Sequence, residues 1–203
     1  YETAISLIQK GINIEAIIDN REEVDSKLVY EVEKNNIKIF KGYTVTDTFG
    51  YKRINRISIK QLSKDGQKVI GSRINLSCDC LGVSGGWTPA VHLFTQSGGK
   101  LKFRDEDQVF VPNLHPSDQL SIGSCNGDFT LDEILINTPK SLKEFLDIKN
   151  TEYESLEVLS STNKSKRNIW LLPSDKVLGK TKSFVDYQND ATAKDIKLAL
   201  REG

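Results

Sequence analysis

The sequence predicts an α/β fold on three observations. Residues 1–41 alternate helical and strand periodicity in the order α-β-α-β. Residues 42–81 switch to a series of β-type runs. Two later stretches, around Gly85-Gly86 and around Gly123–Gly127, carry the chain from apolar residues through glycines toward a helix. Helices and strands that alternate through short connections build a parallel sheet with right-handed crossovers.

In the first unit, apolar side chains at Tyr1, Ala4, Ile5 and Ile8 repeat with a helical period, and Gly11 stops the helix. The mostly apolar run from Ile12 to Asp19 reads as a buried parallel strand that ends in an acid. Glu22 to Asn35 reads as a second helix with Val24, Leu28, Val29 and Val32 on one face, and residues 37–40 as a second strand. An acid at the C-terminal end of a strand is where a Rossmann unit reads a ribose 2′-hydroxyl, which makes Asp19 a candidate; a solvated strand-end acid has the same pattern.

The next stretch changes period. Val45 and Phe49, then Ile54, Ile57, Ile59 and Leu62, then Val69, Ile74 and Leu76 mark three β runs, with Asp65-Gly66 as a hairpin turn. An antiparallel meander following a βαβ unit occurs in flavoproteins with two dinucleotide-binding domains, so the expected fold is a Rossmann-like, FAD/NAD(P)-binding fragment with a meander and a small helical C-terminal piece.

Leu76, Cys78, Cys80 and Leu81 read as the start of a strand that breaks at Ser84-Gly85-Gly86. Thr88 is an expected N-cap and Pro89 an expected first helical residue, with Gly98-Gly99 ending the helix. Residues 109–112 and 120–122 read as short strands. The second leads through Gly123-Ser124-Cys125-Asn126-Gly127 into a helix that Asp128 is expected to cap. Both turns have the form that directs backbone N–H groups at a phosphate, and both have the form of ordinary tight or capping turns. Residues 139–182 read as a linker whose stretch 160–166 is polar, and residues 183–203 as the start of a small helical domain with Thr192 as N-cap.

Composition narrows the function classes. Lys plus Arg and Asp plus Glu both number 28, so no overall field draws the chain to nucleic acid or an anionic membrane. No apolar run approaches the roughly 20 residues that span a bilayer. The three cysteines, with Cys78 and Cys80 spaced C-x-C, match neither a zinc site nor a redox C-x-x-C motif. They read as buried thiols of a cytoplasmic protein. Tyr1 begins inside a helical pattern without an initiator Met, so the chain is expected to be a piece of a longer polypeptide. His92 and His115 are too few for a catalytic triad, and His92 reads as a packing residue. No catalytic residue and no metal ligand is assigned.

Two long blocks carry a resemblance. Residues 84–94 with 98–101, and residues 184–190 with 192–196 and 201–203, resemble the alpha subunits of heterotetrameric sarcosine oxidases. Residues 122–127 and 17–21 are similar too. The resemblance implies an oxidoreductase that demethylates sarcosine to glycine, passes the one-carbon unit to tetrahydrofolate and forms hydrogen peroxide. It implies NAD in this subunit, FAD and FMN held mainly by or with the beta subunit, and gamma and delta subunits as further partners. Residues 1–81 would then be a partial second nucleotide-type domain, and residues 82–138 the return to the first. Gly85, Gly86, Trp87, Thr88, Gly123, Ser124, Asn126, Gly127 and Asp19 would be the cofactor-binding positions. The glycine-rich fingerprint and the folate region of that family are not in this chain. Residues 140–203 hold no Cys or His, which excludes an iron–sulfur cluster held by that segment. Two other readings stay open: a non-catalytic nucleotide-fold scaffold for subunit docking, and a relative acting on another N-methylated amino acid.

Overall fold

The computed structural model describes residues 1–24, 26–116, 118–148, 169–175 and 182–203. They fall into two units, Tyr1–Val83 with Ile169–Gly203, and Ser84–Asn168.

The first unit opens with α1 (Glu2–Gln9), β1 (Ala16–Asp19), α2 (Ser26–Lys34) and β2 (Lys38–Lys41). β1 and β2 are parallel, with Ala16 opposite Lys38 and Asp19 opposite Lys41, as the α-β-α-β order requires. β1 is shorter than the apolar run that announced it, because the Ile12 N–H donates to the Leu7 carbonyl and still belongs to the close of α1. α2 turns Val29 and Val32 inward and leaves Tyr30 exposed, the one-sided burial of an amphipathic helix. The meander follows as β3 (Tyr43–Gly50), β4 (Ile54–Leu62) and β5 (Val69–Ser77), antiparallel in that order. The turn at Asp65-Gly66 lies between β4 and β5, as its sequence predicts.

One face of the meander builds the core. Ile57, Ile59 and Leu76 are buried and pack with Ile18 and Phe40 from the parallel pair and with Val45 and Ile74 from the meander. Burying a side chain such as Ile59 contributes about 1.5–3 kcal/mol. The opposite face is polar: Ser58, fully buried, donates to Asn75 Oδ1 at 2.6 Å, and Asp47 pairs with Arg73 at 3.3 Å.

The expected strand over Cys78–Leu81 is not formed. β5 ends at Ser77, opposite Arg56, because β4 starts at Ile54 and offers little ladder beyond that pair. The thiols are not buried as expected either. Cys80 is exposed, and Cys78 and Cys125 are half-buried.

In the second unit, α3 (His92–Gln96) is only five residues long and starts after Val91, not at Pro89. The Val91 N–H donates to the Pro89 carbonyl at 3.0 Å, a tight turn that takes the place of the first helical turn, and no side-chain cap is made. β6 (Lys100–Arg104), which the sequence reading missed, pairs antiparallel with β7 (Val109–Leu114). Residues 120–122 are not a strand; the chain goes into a 3₁₀ turn, Gly123–Asn126, closed by Gly127 in the left-handed conformation. α4 (Leu131–Phe145) is capped by Thr130, not Asp128, and continues past Pro139 into the stretch expected to be a linker. Residues 160–166 lie outside the described residues.

The first unit resumes with Lys60 Nζ donating to the Asp175 carboxylate at 3.0 Å. β8 (Phe184–Asp186) pairs antiparallel with β9 (Ala191–Thr192), and α5 (Ala193–Glu202) follows. Thr192 is its N-cap, as expected: its N–H and hydroxyl both donate to Asp195 Oδ2, at 2.9 and 2.6 Å. Among the described residues no helix is long and apolar enough to cross a membrane.

Candidate functional site

The predicted positions lie in both units: Asp19 in the first, the two glycine turns in the second.

Asp19 stands at the C-terminal end of β1, nearly buried at 8% exposure. Its Oδ1 accepts from the Arg21 backbone N–H at 2.9 Å and from Arg21 Nε at 3.0 Å. Its Oδ2 accepts from Nε at 3.2 Å and from Nη2 at 2.7 Å. Burial by itself raises the Asp19 pKa; the hydrogen bonds and charge of Arg21 outweigh it and hold the carboxyl below its ordinary value. Bonding to Asp19 raises the Arg21 pKa in turn. The Tyr1 phenol beside them is pushed up, first by burial and then by the Asp19 charge. Its hydroxyl is buried beside the Asp19 carboxylate. Each Asp19 oxygen already takes two Arg21 contacts. A carboxylate offers about four lone-pair sites and three Arg21 N–H groups occupy most of them, so a ribose hydroxyl would compete with Arg21 for this carboxylate.

Around Gly127 the second unit is equally occupied. Gly127 has φ +88°, and a Cβ there would lie 2.6 Å from Arg104 Nη2 and 3.0 Å from Val111 Cγ1. Arg104 Nη2 donates to the Gly127 carbonyl at 2.9 Å, and its Nε donates to Asp107 Oδ1 at 2.8 Å. That pairing with Asp107 raises the Arg104 pKa. The Gly127 and Asp128 N–H groups both donate back into the turn, to Ser124 and Gly123, at 3.1 Å. Asp128, buried, accepts from Asn137 Nδ2 at 2.8 Å. At the start of α4, Glu133 Oε2 accepts from the N–H groups of Phe129 and Thr130 at 3.1 and 3.2 Å, while the Glu133 N–H donates to Thr130 Oγ1. This capping box places a carboxylate where the helix would otherwise attract a phosphate. Of the remaining positions, Gly123 and Asn126 are half-buried and Ser124 is exposed.

Gly85, Gly86, Trp87 and Thr88 form an exposed irregular segment, with Gly86 at φ +102° and Trp87 79% exposed. His92 is exposed as well, and His115 stacks edge-on against Phe94 at 5.0 Å. Among the described residues no group of His, Cys, Asp and Glu is arranged to hold a metal ion. Sequence reasoning missed Arg21, Arg104 and Asp107. Their only local signals are an arginine two residues after a strand-end acid and an acid three residues after an arginine.

No protein-family model matches the chain. Curated relatives do. The alpha subunit of sarcosine oxidase from Corynebacterium sp. (strain P-1) is 26% identical over 217 residues, covering all of this chain and 21% of that protein. Those from Corynebacterium sp. (strain U-96) and Rhizobium meliloti (strain 1021) are 25% and 26% identical, again over the whole chain.

The chain is similar along its whole length to sarcosine oxidase alpha subunits.

It spans about a fifth of the length of those alpha subunits, 21% for the first. Two solved structures show a weaker likeness. T. acidophilum thioredoxin reductase has a TM-score of 0.37 at 20% identity, over 56% of this chain and 40% of that one. L-proline dehydrogenase from P. horikoshii has a TM-score of 0.39 at 17% identity, over 93% and 37%. The sequence led to the expectation of a dinucleotide at these positions, and the geometry bears on that expectation. A pyrophosphate needs converging backbone N–H donors at an open glycine turn. At Gly127 the Cβ space is filled by Arg104, and at the head of α4 Glu133 takes the backbone donors. The Asp19 oxygens are held by Arg21. At these three places the donors and carboxylate oxygens are taken up within the chain, whereas the Gly85-Gly86 turn stands open.

Proposed function

We propose that the chain is a region of the alpha subunit of a multisubunit oxidoreductase that oxidatively demethylates sarcosine, and that within it this region is framework. The carrying observation is the match to sarcosine oxidase alpha subunits across the entire chain. On this reading the amine becomes glycine, its one-carbon unit passes to tetrahydrofolate, and hydrogen peroxide is formed. The flavins, FAD and FMN, are held mainly with the beta subunit, and gamma and delta subunits complete the assembly. NAD and tetrahydrofolate belong to other parts of the alpha subunit. Residues 1–81 act as part of a nucleotide-type domain and residues 82–138 as the return to another. The framework role is favoured over direct nucleotide contact by the Arg21 clamp on Asp19 and the Arg104 clamp on Gly127.

The test is made on the complete alpha subunit purified with its partner chains. Sarcosine is expected to drive peroxide formation, faster than N-methylalanine or N,N-dimethylglycine. Preference for another N-methylated amino acid would reassign the substrate. A flavin-loaded assembly that oxidises none of them would overturn the reading.

A further inference from the structure

The tip of the β3–β4 hairpin concentrates positive charge on a chain that has none overall. Residues 48–56 contain Lys52, Arg53 and Arg56 and no acid, whereas cations and anions balance at 28 each over the chain. All three side chains are exposed, and among the described residues none is in an ion pair. Tyr51 is 98% exposed at the apex. Arg56 lies over the Phe49 ring, 4.3 Å from its centre, which orients the guanidinium without neutralising it.

The tip is also held in shape. Gly50 has φ +139°, and a Cβ there would fall 1.9 Å from the Arg53 carbonyl oxygen, so the turn closes on its own backbone. Beside it is a shallow hollow of about 200 Å³, lined in part by Phe49, Tyr51, Lys52 and Arg53. Small-molecule sites typically measure about 300–1,000 Å³, so the hollow is below the usual size of such a site. Tyrosine and arginine are the residues over-represented where protein interfaces concentrate their binding energy.

We propose that this hairpin tip docks an acidic segment of a partner polypeptide, with Lys52, Arg53 and Arg56 receiving its carboxylates and Tyr51 packing over it. Because the chain is neutral overall, such a partner is drawn by this local field and not by net charge. The proposal does not depend on which amine the assembled enzyme oxidises.

Two measurements test it. A photo-crosslinking residue is placed at Tyr51 in the complete subunit purified with its partners, and the captured peptide is identified by mass spectrometry. A partner segment rich in Asp and Glu is expected. No crosslink, a crosslink to a segment without acids, or a crosslink to nucleic acid would overturn the proposal. Separately, Lys52→Glu with Arg53→Glu is expected to weaken partner binding at least tenfold at low salt, with the difference largely gone at 1 M salt, where screening acts within about 3 Å. The same reversal at Lys100 and Lys102 serves as control and is expected to leave binding unchanged. Equal weakening at both places, or at neither, contradicts a site at the tip.

Discussion

Asp19 is the residue at which local chemistry and fold meet most closely. Its carboxylate caps the end of β1 and is held by the backbone and side chain of Arg21. A depressed carboxyl pKa contributes stability above the ordinary value and loses it as pH falls through the folded-state value. Asp19→Asn is therefore expected to lower stability most near neutral pH, with the difference from the parent shrinking as the pH falls below about 3.8, the ordinary value for this group. Urea denaturation from pH 3 to pH 7 measures this, and a difference independent of pH would contradict it. The acid was legible because it closes an apolar run. The clamp was not, because the pairing depends on how the chain turns after Asp19 and on the rotamer Arg21 adopts there. Gly127 teaches the same lesson. Its glycine was visible in sequence, but the guanidinium that fills its Cβ space comes from Arg104 on a strand that was not foreseen.

Among the elements, α4 is the clearest case of a helix specified at its start. Thr130 and Glu133 satisfy three backbone or cap donors between them, and Asp132 and Glu133 suit the positive end. Thr130→Ala is expected to cost about 1 kcal/mol in thermal or urea unfolding. An unchanged midpoint would show that packing, and not the cap, fixes the helix start. The long amphipathic elements and the meander were readable because their periods persist: α2 and β4 keep theirs over full turns and ladders. Elements of five residues were not. α3 was expected to begin at Pro89, but a single Val91-to-Pro89 hydrogen bond moved its start. β6 went unread although Lys100-Leu101-Lys102-Phe103-Arg104 alternates charged and apolar residues. Both lie in the second unit, where short pieces leave the choice of structure to tertiary packing.

On the scale of the whole molecule, the parallel β1–β2 pair and the three-stranded meander share one buried cluster around Ile59. The α/β class was therefore legible from the order of elements, and the meander from its change of period. The occupancy of the candidate positions was not: Arg104 from β6 fills the space at Gly127, and Arg21 turns back onto Asp19. On the proposed reading the region is framework, in which Asp19 and Gly127 maintain structure instead of meeting a reacting group. The most direct measurement is kcat for sarcosine per assembled flavin in enzyme carrying Asp19→Asn or Gly127→Ala. The account predicts a lower yield of assembled enzyme with kcat within twofold of the parent. Fully assembled variants whose kcat falls tenfold or more would contradict it.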